Sequence, residues 1–254
     1  MHVGIQPYTM SELEEPLCDK LDRIGRAGFE GVELGADANT AAVRAALDRN
    51  DLEVASIASN LDELDGEDGF EAHLDASEAF GTDDVVAMWI GPEEFESRES
   101  VRRQAERLDE FADRLAERGL DLHYHNHAHE FTDLGETTGF EALVDATDAV
   151  GFEVDVGWAG VGGADPAALL GDIADRVSLV HVKDMDFATG EFCTFGEGDL
   201  DAGETVAAAR EAGVEWALFE NDEPVDPVAE PGHASLLLDE YTGHLGRPTG
   251  AHGE

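Results

Sequence analysis

The chain has 254 residues, 59 of them acidic and 15 basic, for a formal charge of −44. Clustered Lys and Arg are missing, which excludes phosphate-neutralising nucleic-acid binders, and no apolar run approaches the roughly 18 residues of a membrane span. Apolar residues make up 42%, enough to bury a core and to exclude the low hydrophobicity of a disordered chain. Cys18 and Cys193 are too few for a disulfide framework or a Cys-based zinc site. The start, Met1-His-Val-Gly-Ile, has no basic stretch followed by an apolar one, so a soluble cytoplasmic protein is expected. The acidic residues are spread along the whole chain, and Lys is reduced to Lys20 and Lys183. Such a surface repels itself unless salt screens it, which points to a salt-rich cytoplasm.

Short apolar runs alternate with helical stretches. Run one is Val3 to Pro7. A Ser11/Glu14 capping-box pattern predicts a helix from Ser11 to about Gly28. Run two is Gly31 to Gly35, with a helix over 39–48. Run three is Leu52 to Ile57, with a helix over 69–80. Run four is Asp84 to Ile90, followed by an amphipathic helix over 97–118 laced with charge pairs. Run five is Asp121 to His127, with a helix over 138–149. Run six is Phe152 to Gly157, with a helix over 166–175. Run seven is Val177 to Val182, followed by a loop and a helix over 202–211. Run eight is Trp216 to Glu220, and a last helix covers about 234–245. Gly28, Gly119 and Gly213 sit where helix C-caps are expected.

Eight such units in about 250 residues predict one α/β domain, a single (β/α)8 TIM barrel over 1–247 with a flexible tail over 248–254. No G-x-G-x-x-G follows the first run, which disfavours an open dinucleotide-binding sheet.

Barrel active sites gather at the C-terminal strand ends. Run six carries Asp155 amid apolar neighbours, run seven delivers His181 and then Lys183, and run eight delivers Glu220 and then Asp222. Each follows a stretch that should be buried, and a buried unpaired charge is costly. Three such groups at one barrel mouth predict a divalent cation, with imidazole and carboxylate donors favouring Mn, Fe, Co or Zn over Ca. Singly, each reads as a structural salt bridge or hydrogen bond.

Run five carries His123, His125, His127 and His129. His125, at the expected strand end, is the candidate ligand and His127 the alternate. His123 lies deeper, and His129 falls in the loop. Glu130 stands as ligand, base or loop charge. Lys183, conspicuous by scarcity, either holds a substrate or enolate oxygen or pairs with Asp184 or another carboxylate. Gln6 at the end of run one, Trp158, and Glu197 in the Phe195-Gly-Glu-Gly-Asp loop are further substrate-binding candidates. Trp89 and Trp158 read first as ordinary barrel packing and second as an apolar wall for a sugar.

Tyr124-His-Asn-His, Glu130-Phe131, Glu153-Val-Asp-Val-Gly-Trp158, His181-Val-Lys-Asp184, Phe195-Gly-Glu-Gly198 and Glu220-Asn-Asp222 together resemble the sugar phosphate isomerase/epimerase family. This belongs to the xylose-isomerase-like TIM barrel superfamily, which also holds inosose dehydratase, ketose 3-epimerases and endonuclease IV. The resemblance runs from Val3 to about Leu245. It implies one divalent metal ion (Mn, Co, Zn or Mg) held by Glu, Asp, His and Glu of strands five to eight. Asp155, His181 and Glu220 match the last three, and His125 stands where the epimerases have Glu. The expected ligand set is therefore His125, Asp155, His181 and Glu220. Glu220, His125, Lys183 and Glu130 are the catalytic candidates. His127, Lys183, Trp158, Gln6 and Glu197 are the substrate-binding ones.

The expected activity is isomerisation or epimerisation of a sugar or keto-polyol through an enediolate. Dehydration remains open, because the His-x-His pattern is shared with the inosose dehydratase side, and a non-catalytic sugar-binding barrel is the reading after that. No Arg sits at a strand end, so a neutral sugar or cyclitol is as plausible as a phosphorylated one. The expected partner is a small carbohydrate, with neither nucleic acid nor membrane, and homo-oligomerisation is left open.

Overall fold

Eight parallel strands close on themselves in sequence order. They are β1 (His2–Ile5), β2 (Gly31–Gly35), β3 (Glu53–Ser59), β4 (Asp84–Ala87), β5 (Asp121–His125), β6 (Gly151–Asp155), β7 (Val177–Val182) and β8 (Trp216–Phe219). The structure is a computed structural model that describes residues 1–243; the expected tail over 248–254 and the expected domain end at 247 lie outside the described residues. Each apolar run is a strand, and β1 pairs with both β2 and β8, which closes the TIM barrel.

Helices lie between the strands, with boundaries set by local chemistry. The first begins at Leu17, not Ser11, and runs to Ala27. Pro16 has no N–H to donate and disfavours helical backbone in the residue before it, which overrides the Ser11/Glu14 pattern. The capping box forms instead at Thr138 and Glu141, ahead of the helix Gly139–Ala146. Ser97 caps the longest helix, Arg98–Ala116, by accepting from the Ser100 N–H. Gly28, Gly119 and Gly213 have φ of 100°, 80° and 84°, the left-handed conformation that ends a helix at little cost only in Gly. A short helix after β6, Val156–Val161, has no counterpart in the sequence reading. The last helix runs from Glu230 to Thr242, starting earlier than its apolar pattern suggests.

The main core lies between the strands and the helix ring. Inside the barrel a small apolar plug of Ala55, Val86, Leu179, Trp216 and Leu218 fills the lower half. Gly31 makes room for it, since a Cβ there would stand 2.5 Å from the Trp216 ring. Above the plug the inward positions turn polar, and there the candidate site lies.

Phe140 is fully buried and packs on Phe131 at 5.0 Å and Phe152 at 5.4 Å between ring centroids. Phe140→Ala is expected to lower unfolding free energy by roughly 3–5 kcal/mol, read by denaturant titration; a loss under about 1 kcal/mol would show that this cluster does not anchor the helix. Raising KCl from about 0.1 M to about 1 M shortens the Debye length from about 10 Å to about 3 Å. The melting temperature should rise over that range, and a flat response would show that the acidic surface is not limiting stability.

Candidate functional site

Alternation along a strand selects the side chains that enter a barrel. On β6 these are Glu153 and Asp155, on β7 Leu179 and His181, and Lys183 follows just beyond. Register then brings them together. Pairing of β5 with β6 sets His125 beside Glu153, and pairing of β6 with β7 sets Asp155 beside His181. All four are buried, as is Glu220 at the end of β8.

Two tiers share His181. In the upper tier, donor atoms of His125, Asp155 and His181 all lie within 4.8 Å of one another, with His125 Nε2 3.8 Å from Asp155 Oδ2. Glu220 Oε2 adjoins them, 3.1 Å from His181 Nδ1. Lys183 Nζ stands 2.9 Å from Glu220 Oε2, 3.2 Å from Asp155 Oδ2 and 3.2 Å from Asp222 Oδ2. Its partners are thus carboxylates other than Asp184, namely Asp155, Glu220 and Asp222. In the lower tier, His181 Nε2 lies 3.3 Å from both Glu33 Oε1 and Glu153 Oε2. The Gln6 amide and the Ser56 hydroxyl donate to Glu33 at 2.7 and 2.6 Å, and Glu153 Oε2 lies 2.8 Å from His125 Nδ1.

Burial works against every charge here, so neighbours decide which survive. Burial and the adjacent Glu33 charge push Glu153 up to about 8, which leaves it protonated near neutral pH. Burial opposes ionisation of Glu33 too, but His181 and Ser56 outweigh it and hold Glu33 below the usual carboxylate range. Against its own burial, His181 is held well above an ordinary imidazole by Glu153 and Glu33. Burial and the His181 charge hold His125 well below. Burial raises Asp155. Lys183 overcomes the same penalty on Glu220, which stays well below its ordinary value. Burial and the Glu220 charge push Asp222 up to about 6.

The remaining sequence candidates are placed as follows. His127 Nδ1 is buried without a hydrogen-bond partner, and burial pushes the ring down to about 3. Glu130 is fully buried, with one oxygen accepting from the Tyr124 hydroxyl at 2.6 Å and the other from the His127 N–H at 2.9 Å. Trp158 follows Asp155, which caps its N–H at 2.8 Å, and its ring lies 5.4 Å from Lys183 Nζ. Both ends of the Gln6 amide are engaged, with Glu33 and with the Tyr8 N–H. Glu197 is exposed on the loop after β7. The glycines flanking it serve Asp184, whose carboxylate accepts from the N–H groups of Gly196, Gly198 and Leu200 at 2.8, 2.9 and 3.1 Å. His123 bonds Asp84 at 2.6 Å, well below the mouth.

Glu33, Glu153 and Asp222 belong to the cluster without having been assigned to it from sequence. Glu33 and Glu153 sit mid-strand, where alternation alone does not distinguish an inward carboxylate from a solvent-facing one. Asp222 lies two residues past Glu220, an i, i+2 signal that was available.

The donor set fits a divalent cation. Asp155 Oδ2, His181 Nε2 and Glu153 Oε1 are buried without an aligned hydrogen bond, and such orphaned lone pairs are expensive unless a cation takes them. Two imidazoles and a carboxylate suit a borderline metal with an open coordination position. Lys183 supplies part of the compensation on its own. Lys183→Met should therefore cost roughly 3–5 kcal/mol in chelator, with the melting temperature partly restored by Mn or Zn. A variant as stable as wild type in chelator would show that the carboxylates do not depend on this ammonium.

A family model described as the xylose isomerase-like TIM barrel matches residues 21–237. The rhizopine catabolism protein MocC of Rhizobium meliloti is 30% identical over 192 residues, covering 68% of this chain and 58% of that protein. Inosose dehydratase of Geobacillus kaustophilus is 32% identical over 150 residues, covering 51% of this chain and 47% of that protein. The chain thus spans about half the length of the curated relatives it matches. A solved structure of a sugar phosphate isomerase/epimerase from Parabacteroides distasonis superposes with a TM-score of 0.76 at 20% identity, covering 92% of both chains, a likeness of fold. On the match over most of its length, the chain belongs to the xylose isomerase-like TIM barrel family.

Proposed function

We propose that the protein is an enzyme, a divalent-metal-dependent isomerase or epimerase acting on a sugar or keto-polyol through an enediolate. The observation that carries this is the convergence of His125, Asp155 and His181, with Asp155 Oδ2 and His181 Nε2 lacking an aligned hydrogen bond, beside Lys183 and Glu220. His125, Asp155 and His181 would hold the cation, with Glu220 as the fourth donor. When bound, such a cation polarises a carbonyl and its neighbouring hydroxyl as a Lewis acid.

The chain's own groups supply the proton transfers. The Glu220 carboxylate, kept ionised by Lys183 and His181, takes the proton from the carbon beside the carbonyl. Lys183 Nζ faces the developing oxyanion, where a fixed charge in a dry site is most effective. Glu220, which then carries that proton, returns it to the other carbon or, with solvent as the donor on the opposite face, to the same carbon. Neutral His127, with Nδ1 unpartnered, offers a substrate hydroxyl a hydrogen bond. Glu130 acts through His127 by fixing its backbone N–H. Trp158 supplies an apolar wall beside Lys183. None of these residues is Arg, which supports an uncharged sugar or cyclitol over a phosphorylated one. The charge of −44 supports a salt-rich setting, and no helix among the described residues is long and apolar enough to cross a membrane.

The identity to an inosose dehydratase favours a second reading, a lyase. The same proton abstraction would be followed by expulsion of a β-hydroxyl as water. Product analysis separates the two.

The test is deuterium uptake from heavy water into a panel of keto-sugars and inososes, after chelation and after return of Mn, Co or Zn. Uptake should require the cation, vanish in Asp155→Ala together with cation binding, and fall by about 10²–10⁴-fold in Glu220→Gln. Uptake that survives chelator, or that is unchanged in Glu220→Gln, would overturn the assignment.

A further inference from the structure

The cation-binding set draws on strands β5 to β8, which leaves the other half of the mouth without a role. There, residues at the C-terminal ends of β2, β3 and β4, namely Gly35, Ala58, Ser59 and Met88, line a cavity of about 690 Å³. That volume is ample for a bound small molecule. A neighbouring hollow of about 540 Å³ shares Asn60 and Glu63 with it and carries Trp89 on its wall, so the two adjoin and together are termed the cleft.

Its chemistry suits a polyhydroxylated neutral group. Tyr8 lines it and is 58% exposed, and Trp89 is 48% exposed. Large aromatic faces left open at a mouth are platforms for an apolar ring face, with a polar edge for hydroxyls. Ser59, Asn60 and Glu63 offer donors and acceptors. His73 lines the same cavity at 1% exposure, and its Nε2 has no hydrogen-bond partner; the nearest carboxylate oxygen, Glu63 Oε2, stands 4.0 Å away. A buried unsatisfied ring nitrogen in a cavity wall calls for a ligand hydroxyl or a water. The 690 Å³ cavity has neither Lys nor Arg in its lining, and Arg107 of the neighbouring hollow is already paired with Asp62 and Asp65 at 3.3 and 2.6 Å, which disfavours a phosphate or carboxylate occupant.

We propose that this cleft is a second sugar subsite, and that the substrate is therefore a glycoside. The reacting keto-sugar lies over β5 to β8, and a second, uncharged sugar ring lies over β2 to β4. This rests on the carbohydrate reading above and extends it from a single sugar to a linked pair.

The test is calorimetric titration of the metal-loaded protein, in high KCl, with glucose and with maltose, cellobiose and trehalose. Wild type, Tyr8→Ala and Asn60→Ala are compared. Both side chains are exposed, so truncation leaves the core intact. At least one disaccharide should bind roughly tenfold tighter than glucose, about the gain of one further polar and apolar contact set. Either substitution should remove most of that preference while glucose affinity stays constant. Equal binding of all four sugars, no binding of any disaccharide, or a preference untouched by both substitutions overturns the subsite. Binding does not depend on turnover, so the result separates from deuterium uptake. Tight disaccharide binding without uptake would sink the isomerase assignment and leave the subsite standing.

Discussion

The structure depends on the burial of Glu33, Glu153, Asp155 and Glu220 around His181 and Lys183. Removing a charge from water costs several kcal/mol even after relaxation. Only a rigid frame can keep four carboxyl groups and their cations at contact distance, and the closed barrel is that frame. Every strand is paired on both sides, so register cannot slip without turning whole sets of side chains from the interior to the outside. The apolar plug below, with Trp216 packed against Gly31, separates the polar layer from the other end of the barrel. The polar layer is thereby confined to one open end.

Within that layer charge is rationed. Glu153 carries a proton near neutrality, so Glu33 is the carboxylate that the lower tier presents to His181. The upper tier is left with Asp155 and Glu220 against Lys183. Imidazole orientation follows from the lower tier, since the Glu153 carboxyl meets both His125 and His181. Groups of this kind behind ligating imidazoles fix ring position and raise basicity. Outside the cluster, the loop after β7 is fastened by Asp184, by Glu230 accepting from the Phe195 N–H at 3.0 Å, and by Asn221 donating to the Cys193 carbonyl at 3.1 Å. Phe192 on that loop meets Trp158 edge to face at 5.5 Å, so the wall beside Lys183 is built from two segments.

The strands were legible because a fully buried parallel strand reads as an unbroken apolar run, and eight of them in this length leave little choice of architecture. Asp155 and His181 were legible because a polar residue ending such a run has nowhere to go but the barrel mouth. Glu33 and Glu153 were not, since only closure of the sheet shows which face is inside. Gln6 was legible as a polar strand end but not in its task, because its partner Glu33 lies 27 residues away. The Gly-Glu-Gly segment shows the same limit. Its glycines are explained by Asp184, whose Oδ1 would stand 2.2 Å from a Cβ at Gly198. Local pattern also misplaced the first helix, where Pro16 carries more weight than a capping box.

The scarcity of Lys gains its meaning from burial. On a surface this acidic an exposed ammonium adds little, since a surface ion pair contributes about 0–1 kcal/mol and salt weakens it further. Replacement of exposed Lys by acidic residues therefore meets little resistance. Lys183 is different, because its ammonium offsets Asp155, Glu220 and Asp222 at once where water cannot substitute for it. Removing this Lys would leave buried carboxylates uncompensated, a cost that no exposed Lys carries. In an extreme composition, the residue that survives against the trend marks the place where the interior, not the solvent, sets the electrostatics.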